Sequence, residues 1–221
     1  MSILDVGVIN RNIKCADLTQ EAIEAWFDVD GSFLDYAGGY GILVRLMRDK
    51  GYDFVRSDKY SENLFASFFD INDSSHTFFE MITGFEVMEH LENPLETLED
   101  IFSRTKNFLF STELIPFKKV NPENWWYFAA EGGQHISFYS AKTLKVIAEI
   151  YDVNYFNIHS KFHLFSKDKI DIKQLKRNKR NLHKGNGMNR FLNKKTTNPT
   201  KKSLLMSDYE LVRKHLKKEK G

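Results

Sequence analysis

The chain has 221 residues, of which 42% are hydrophobic and 14% aromatic, with 32 Lys+Arg against 30 Asp+Glu. That supports one packed domain with added segments, and the 19 Phe predict an unusually aromatic core. Its single cysteine, Cys15, excludes an internal disulfide; no apolar stretch approaches the roughly 18 residues of a membrane span, and the N-terminus lacks a basic-then-apolar signal, so a cytoplasmic protein is expected.

Charge is unevenly spread. Residues 1–169 hold 16 Lys+Arg and 26 Asp+Glu, a balance of −10, whereas residues 170–221 hold 16 and 4, a balance of +12. Residues 1–31 read as a lead-in, with Thr19 capping a short helix to Phe27 that presents Ala22, Ile23, Trp26 and Phe27 on one face. Strands and helices then alternate: strand 32–36, helix 41–50, strand 53–57, a short strand near 67–70, strand 79–85, helix 94–104 and strand 107–112. Asn93-Pro94-Leu95-Glu96 is a strong helix start, and Ser140 opens a further helix. Strands 153–159 and 162–166 follow so closely that they must run antiparallel. The alternation predicts a doubly wound α/β domain over 32–169, mostly parallel, with one antiparallel strand near its C-terminal end. Residues 170–221 form a basic tail, read as a flexible linker over 167–203 and a final amphipathic helix from Ser207 to Lys218, opened by a Ser207-to-Glu210 capping box.

The most informative stretch is Phe33-Leu34-Asp35-Tyr36-Ala37-Gly38-Gly39-Tyr40-Gly41. It reads as a buried strand, a small-residue turn and a helix start, the place where open α/β sheets bind nucleotides. No Lys-Ser or Lys-Thr follows, so it is not a Walker loop, and the third glycine of a dinucleotide fingerprint would fall at Val44. An acid at the strand tip is ill placed for phosphate and suits a cationic ligand. S-adenosylmethionine carries a sulfonium and an ammonium and no phosphate. A second strand ends in Asp58, about 20 residues past the glycines, where a carboxylate can accept from two ribose hydroxyls or simply cap a turn.

Asp35-Tyr36-Ala37-Gly38-Gly39-Tyr40-Gly41 resembles the first motif of class I S-adenosylmethionine-dependent methyltransferases, with Ala37 where that family usually has Gly. The run from Phe79 to Leu91, with Glu86-Val87-Met88-Glu89-His90 at its end, resembles the fourth strand and following loop of the ubiquinone-biosynthesis O-methyltransferase branch, with Glu80 where Asp is usual. Trp125-Trp126-Tyr127-Phe128 and Gly132-Gly133-Gln134-His135 through Ser140 are similar to a subgroup associated with surface-polysaccharide synthesis. The resemblance covers about Phe33 to Ser166 and implies a Rossmann-like sheet of seven strands.

It also implies a site. Asp35 faces the methionine end of the donor; Ala37, Gly38, Gly39 and Gly41 allow close backbone approach; Asp58 takes the ribose, and Lys59 or Tyr60 covers the adenine. Phe69 and Asp70 are further adenine contacts, while Phe85 and Glu86 line the methyl-transfer end. For the acceptor side, His135 and His90 are the candidate bases, though methyl transfer from a sulfonium needs none unless the acceptor must lose a proton. Glu86, Glu89, His90 and Glu92 lie close in sequence, but the H-E-x-x-H order and any CxxC are absent, so no metal is expected. The expected acceptor is a small molecule, with a sugar or glycan intermediate as the class the resemblance suggests. Two alternatives stay open: an RNA or DNA methyltransferase whose tail binds an anionic partner (nucleic acid or a membrane surface), and a non-catalytic donor-binding module.

Overall fold

The computed structural model describes residues 6–116, 119–129, 135–175 and 201–218. Its central sheet has six strands: β1 (Ser32–Tyr36), β2 (Asp53–Ser57), β3 (Met81–Gly84), β4 (Asn107–Ser111), β5 (Asn154–His159) and β6 (Phe162–Ser166), in the order β2-β1-β3-β4-β6-β5. The first four are mutually parallel, and β6 runs antiparallel to both β4 and β5. The expected doubly wound sheet is thus present, with six strands rather than seven. Residues 67–70 form no strand; one isolated parallel bridge, Arg56 to Asp70, stands in their place. Phe68 there has φ of 70°, a left-handed turn that prevents the chain from staying extended.

The four parallel strands are buried through their centres on both faces, as such strands must be. Alternate side chains feed two cores. Phe33, Phe54, Met81 and Leu109 meet helices α1 (Val8–Trp26) and α2 (Ile42–Asp49). Leu34, Ile82, Phe108 and Phe110 meet α3 (Pro94–Arg104) and α4 (Ala141–Ile150). α3 begins as its sequence requires, with Pro94 in the first turn and the Asn93 side chain accepting from the Glu96 N–H at 3.5 Å. Ser140 caps α4, its Oγ accepting from the Thr143 N–H at 3.0 Å.

α1 departs from expectation. It starts at Val8, eleven residues before Thr19, which lies fully buried inside the helix instead of capping it. Its inner stripe runs through Cys15, Ala16, Thr19, Ala22 and Ile23.

The final helix, α5 (Leu205–Lys218), is docked on the domain. Asp208 is buried and grips Arg48 through two parallel hydrogen bonds, Nε–Oδ2 at 2.8 Å and Nη2–Oδ1 at 2.9 Å, while Arg45 adds a third at 2.8 Å. The capping box expected at Ser207 is not formed: the helix opens two residues earlier, Ser207 Oγ donates to the Leu204 carbonyl, and Asp208 is committed to arginine. Lys201 Nζ reaches Asp30 at 3.0 Å, and a Cβ on Gly51 (φ 95°) would fall 2.5 Å from the Lys202 carbonyl. The linker expected over 167–203 lies largely outside the described residues.

Removing one partner of a buried ion pair leaves the other charged and unsolvated. Asp208→Ala is expected to lower unfolding stability by about 3 kcal/mol in urea titrations. A loss below about 0.5 kcal/mol, the range of an exposed pair, would contradict a buried docking contact.

Candidate functional site

The sheet's order reverses at β1, which lies between β2 and β3. That is where open α/β sheets form a crevice. A cleft opens there, lined by Asp35, Ala37, Gly38, Gly39, Tyr40, Ile42, Leu43, Phe85 and Glu86, and roofed by Val8, Arg11, Asn12 and Cys15 of α1.

Asp35 is only 3% exposed. Register pairs it with Thr83 on β3, whose hydroxyl donates to Asp35 Oδ1 at 2.7 Å. Burial pushes its carboxyl up to about 7, against the lowering effect of the Thr83 hydrogen bond. Among the described residues Asp35 has no ion pair.

Beyond it the backbone turns through positive φ at Ala37 (54°), Gly39 (55°) and Gly41 (83°). Ala37 holds a conformation that costs an L-residue energy, which is why Gly is the easier occupant. A Cβ at Gly38 would come within 2.6 Å of Asp35 Oδ2 and 2.8 Å of Arg56 Cγ. Above Gly39 there is open space, with nothing within 4 Å of where a Cβ would stand. Gly41 caps α2, and a Cβ there would strike Asn63 Oδ1 at 2.5 Å.

Two side chains fix the loop from β2. Asp58 accepts the Gly39 N–H at 2.9 Å through Oδ2, and the Tyr60 and Ser61 N–H groups at 2.8 and 2.7 Å through Oδ1. Arg56, 5% exposed, bonds the Gly39 carbonyl, the Ser61 carbonyl at 3.0 Å and Asp70 Oδ1 at 2.6 Å. Sequence reasoning missed Arg56 because its three partners, Gly39, Ser61 and Asp70, are far apart in the chain.

The predicted residues therefore divide. Asp35, Ala37, Gly38, Gly39, Phe85 and Glu86 line one cleft. Gly41 and Asp58 shape its loop, and Lys59 is exposed beside it. Phe69 and Asp70 are committed elsewhere. Phe69 is buried in the core beneath the Arg48 guanidinium, 3.8 Å from its ring centroid, and Asp70 is held by Arg56 and by Asn63 at 3.1 Å. The α1 roof was not foreseen, since Asn12, Cys15 and Thr19 break the apolar periodicity that would have revealed the longer helix.

On the acceptor side, Glu86 (φ 56°) receives Lys161 Nζ at 2.6 Å and Ser111 Oγ at 3.1 Å. His90 and His135 meet edge to face with ring centroids 4.9 Å apart. His135 Nδ1 lies 2.6 Å from the Tyr127 carbonyl, so that nitrogen carries the proton and donates it, leaving Nε2 as an acceptor. Between them Glu89 is fully buried, and burial, reinforced by the Glu86 charge, pushes its carboxyl up to about 7.

A methyltransferase-domain family profile matches residues 9–157. Three solved structures are similar to this chain. One is CalO1, the methyltransferase in calicheamicin biosynthesis in its SAH-bound form (12% identity, 72% of this chain and 55% of that chain covered, TM-score 0.49). The second is the O-methyltransferase family 2 protein of Planctomyces limnophilus complexed with apigenin (14%, 76% and 63%, 0.50). The third is the magnesium protoporphyrin IX methyltransferase of Synechocystis with bound SAH (10%, 72% and 82%, 0.50). The chain spans less than two thirds of the first two. No curated protein matches the chain. Fold and cleft together define a Rossmann-like α/β domain with a ligand crevice at the carboxyl ends of its parallel strands. The chain belongs to the methyltransferase-domain family.

Asp35 holds its proton more tightly in the fold, at about 7, than in the unfolded chain. An unperturbed Asp titrates near about 4, so stability falls as pH rises from about 4 to about 7. Asp35→Asn keeps the Thr83 hydrogen bond and removes the charge. At pH 8 the ligand-free variant is expected to be more stable than the parent, by on the order of 2–4 kcal/mol, with the gap closing towards pH 4. A variant equally stable at both pH values would contradict a costly buried carboxylate.

Proposed function

We propose that the chain moves a methyl group from S-adenosylmethionine to a small-molecule acceptor, with a sugar or glycan intermediate as the leading class. The observation that carries this reading is Asp35: a buried carboxylate with no ion pair among the described residues, beneath a loop whose Gly39 leaves open space. A phosphate ligand would meet the Asp35 and Asp58 carboxylates in that position, whereas a cationic adenosyl ligand fits them.

When bound, S-adenosylmethionine supplies a methyl group already activated on a sulfonium. The protein's part is then alignment. Asp35 receives the ammonium directly or through a water. Gly38 lets the turn close onto Asp35, and Gly39 and Ala37 form the floor against which the methionine end lies. Asp58 presents the edge of its carboxylate to the ribose while holding the loop, and exposed Lys59 covers the adenine face. Phe85 and Glu86 bound the methyl end, where Lys161 and Ser111 fix the Glu86 carboxylate. His135 and His90 are the acceptor-side residues; with Nδ1 of His135 engaged by Tyr127, its Nε2 is the atom available to the acceptor.

The ubiquinone-biosynthesis-like branch and the polysaccharide-associated subgroup form the finer part of this reading, and rest on the Glu86-to-His90 and Trp125-to-Ser140 stretches. The cytoplasm belongs to it too, on the strength of a single cysteine. No helix of the described residues is long and apolar enough to cross a membrane. The nucleic-acid alternative depends on the basic tail, whose described part is turned to another use by the docking of Asp208 on Arg48.

Thermal-shift measurements test the cofactor claim. S-adenosylmethionine and S-adenosylhomocysteine are expected to stabilise the protein, and NAD and ATP to leave it unchanged. Asp35→Asn, though folded, is expected to lose at least tenfold in donor affinity, about 1.4 kcal/mol. Stabilisation by NAD or ATP alone would reject the reading. A catalyst further predicts a mass gain of one methyl group on an acceptor, which a non-catalytic binding module would never give.

A further inference from the structure

The Glu89 carboxylate is fully buried, and neither of its oxygens has a close hydrogen-bond partner among the described residues, the Tyr127 hydroxyl being a weaker neighbour. An unsatisfied buried carboxylate is among the costliest groups a fold can keep. It is not alone. Ligand-capable atoms of Glu89, His90 and His135 all lie within 4.8 Å of one another. Two ligands at about 2.1 Å on a tetrahedral zinc ion lie about 3.4 Å apart, so side-chain rotations that draw the three groups together by an ångström or so bring them onto one centre.

The surroundings hold these groups in place. His135 donates through Nδ1 to the Tyr127 carbonyl at 2.6 Å, which orients the ring and frees Nε2. A backbone-carbonyl partner of this kind is the usual support of a metal-bound imidazole. The segment carrying His135 is pinned to the other two ligands: the Ile136 and Ser137 N–H groups donate to the Glu89 carbonyl at 2.8 and 3.0 Å. Ser137 Oγ donates to the Leu91 carbonyl at 2.6 Å, and the Tyr139 hydroxyl donates to the Met88 carbonyl at 3.0 Å. Glu86, three residues before Glu89, stays with Lys161 and Ser111 and faces the donor cleft.

We infer that Glu89, His90 and His135 form a divalent-cation site beside the methyl-transfer end of the cleft, with open coordination positions for an oxygen of the acceptor. Two imidazoles and one carboxylate suit a cation of borderline softness, zinc above all, and disfavour magnesium and calcium, which take oxygen ligands. The sequence argued against a metal because Glu89-His90 lacks the usual spacing; the third ligand arrives from 45 residues further on. The cation's role towards the acceptor rests on the methyltransferase reading: a coordinated hydroxyl loses its proton to water more readily, and neither histidine needs to take it. The cation site itself does not depend on that reading.

The test is titration of the full, chelator-stripped chain with Zn²⁺, Co²⁺ and Mg²⁺, followed by calorimetry and by the visible absorption of bound Co²⁺. One Zn²⁺ or Co²⁺ per chain is expected with low-micromolar or tighter affinity, and magnesium at least 100-fold weaker. Glu89→Gln, which keeps the buried shape and removes a charge, and His135→Ala are each expected to weaken Zn²⁺ binding at least tenfold and to change the Co²⁺ spectrum. Both should keep the thermal shift with S-adenosylhomocysteine, so loss of the metal is separable from failure of the donor pocket. Absence of Zn²⁺ and Co²⁺ binding in the parent, binding of magnesium alone, or unchanged binding in both variants would overturn the site.

Discussion

The structure turns on a carboxylate that is kept dry. Asp35 stands at the tip of a strand buried on both faces, and its hydrogen bond to Thr83 is short of what a charged group needs. A stability-driven sequence would place an apolar or amide side chain here. Retaining an acid spends folding free energy on readiness for a cation, a compromise typical of binding sites. The rest of the cleft follows from it. Gly38 must lack a Cβ because Asp35 Oδ2 occupies that space, and Arg56 and Asp58 must fasten the loop because its left-handed residues would not hold the turn unaided.

Much of this was legible in the sequence, for a physical reason. β1, β2 and β4 are short apolar runs ended by acid or polar residues, and a strand's identity is written in neighbouring residues. α3 announces itself through Asn93 and Pro94, which act within one turn. The glycine loop is legible because positive φ is a local demand that few residues other than glycine meet.

What was hidden is non-local. Asp208 finds Arg48 across 160 positions, so the tail's end reads as a capping signal and folds as a buried ion pair. Phe69 and Asp70 read as adenine contacts at the end of a short strand near 67–70, whereas in the structure they pack against Arg48 and pair with Arg56. α1 is obscured by polar residues on its inner stripe, which face the cleft and its margin instead of a purely apolar core. The meeting of Glu89 and His90 with His135 is invisible to any spacing rule, because backbone hydrogen bonds from Ile136 and Ser137 create it. Two buried carboxylates, Asp35 and Glu89, thus stand without an ion pair among the described residues, one suited to an organic cation and the other to a metal ion.

The most direct measurement is the titration of the Asp35 side-chain carboxyl by carbon-13 NMR, with and without S-adenosylhomocysteine. The account predicts a midpoint near about 7 in the free protein, falling by more than one unit when the ligand's ammonium lies beside it. A midpoint near about 4 that the ligand leaves in place would contradict it.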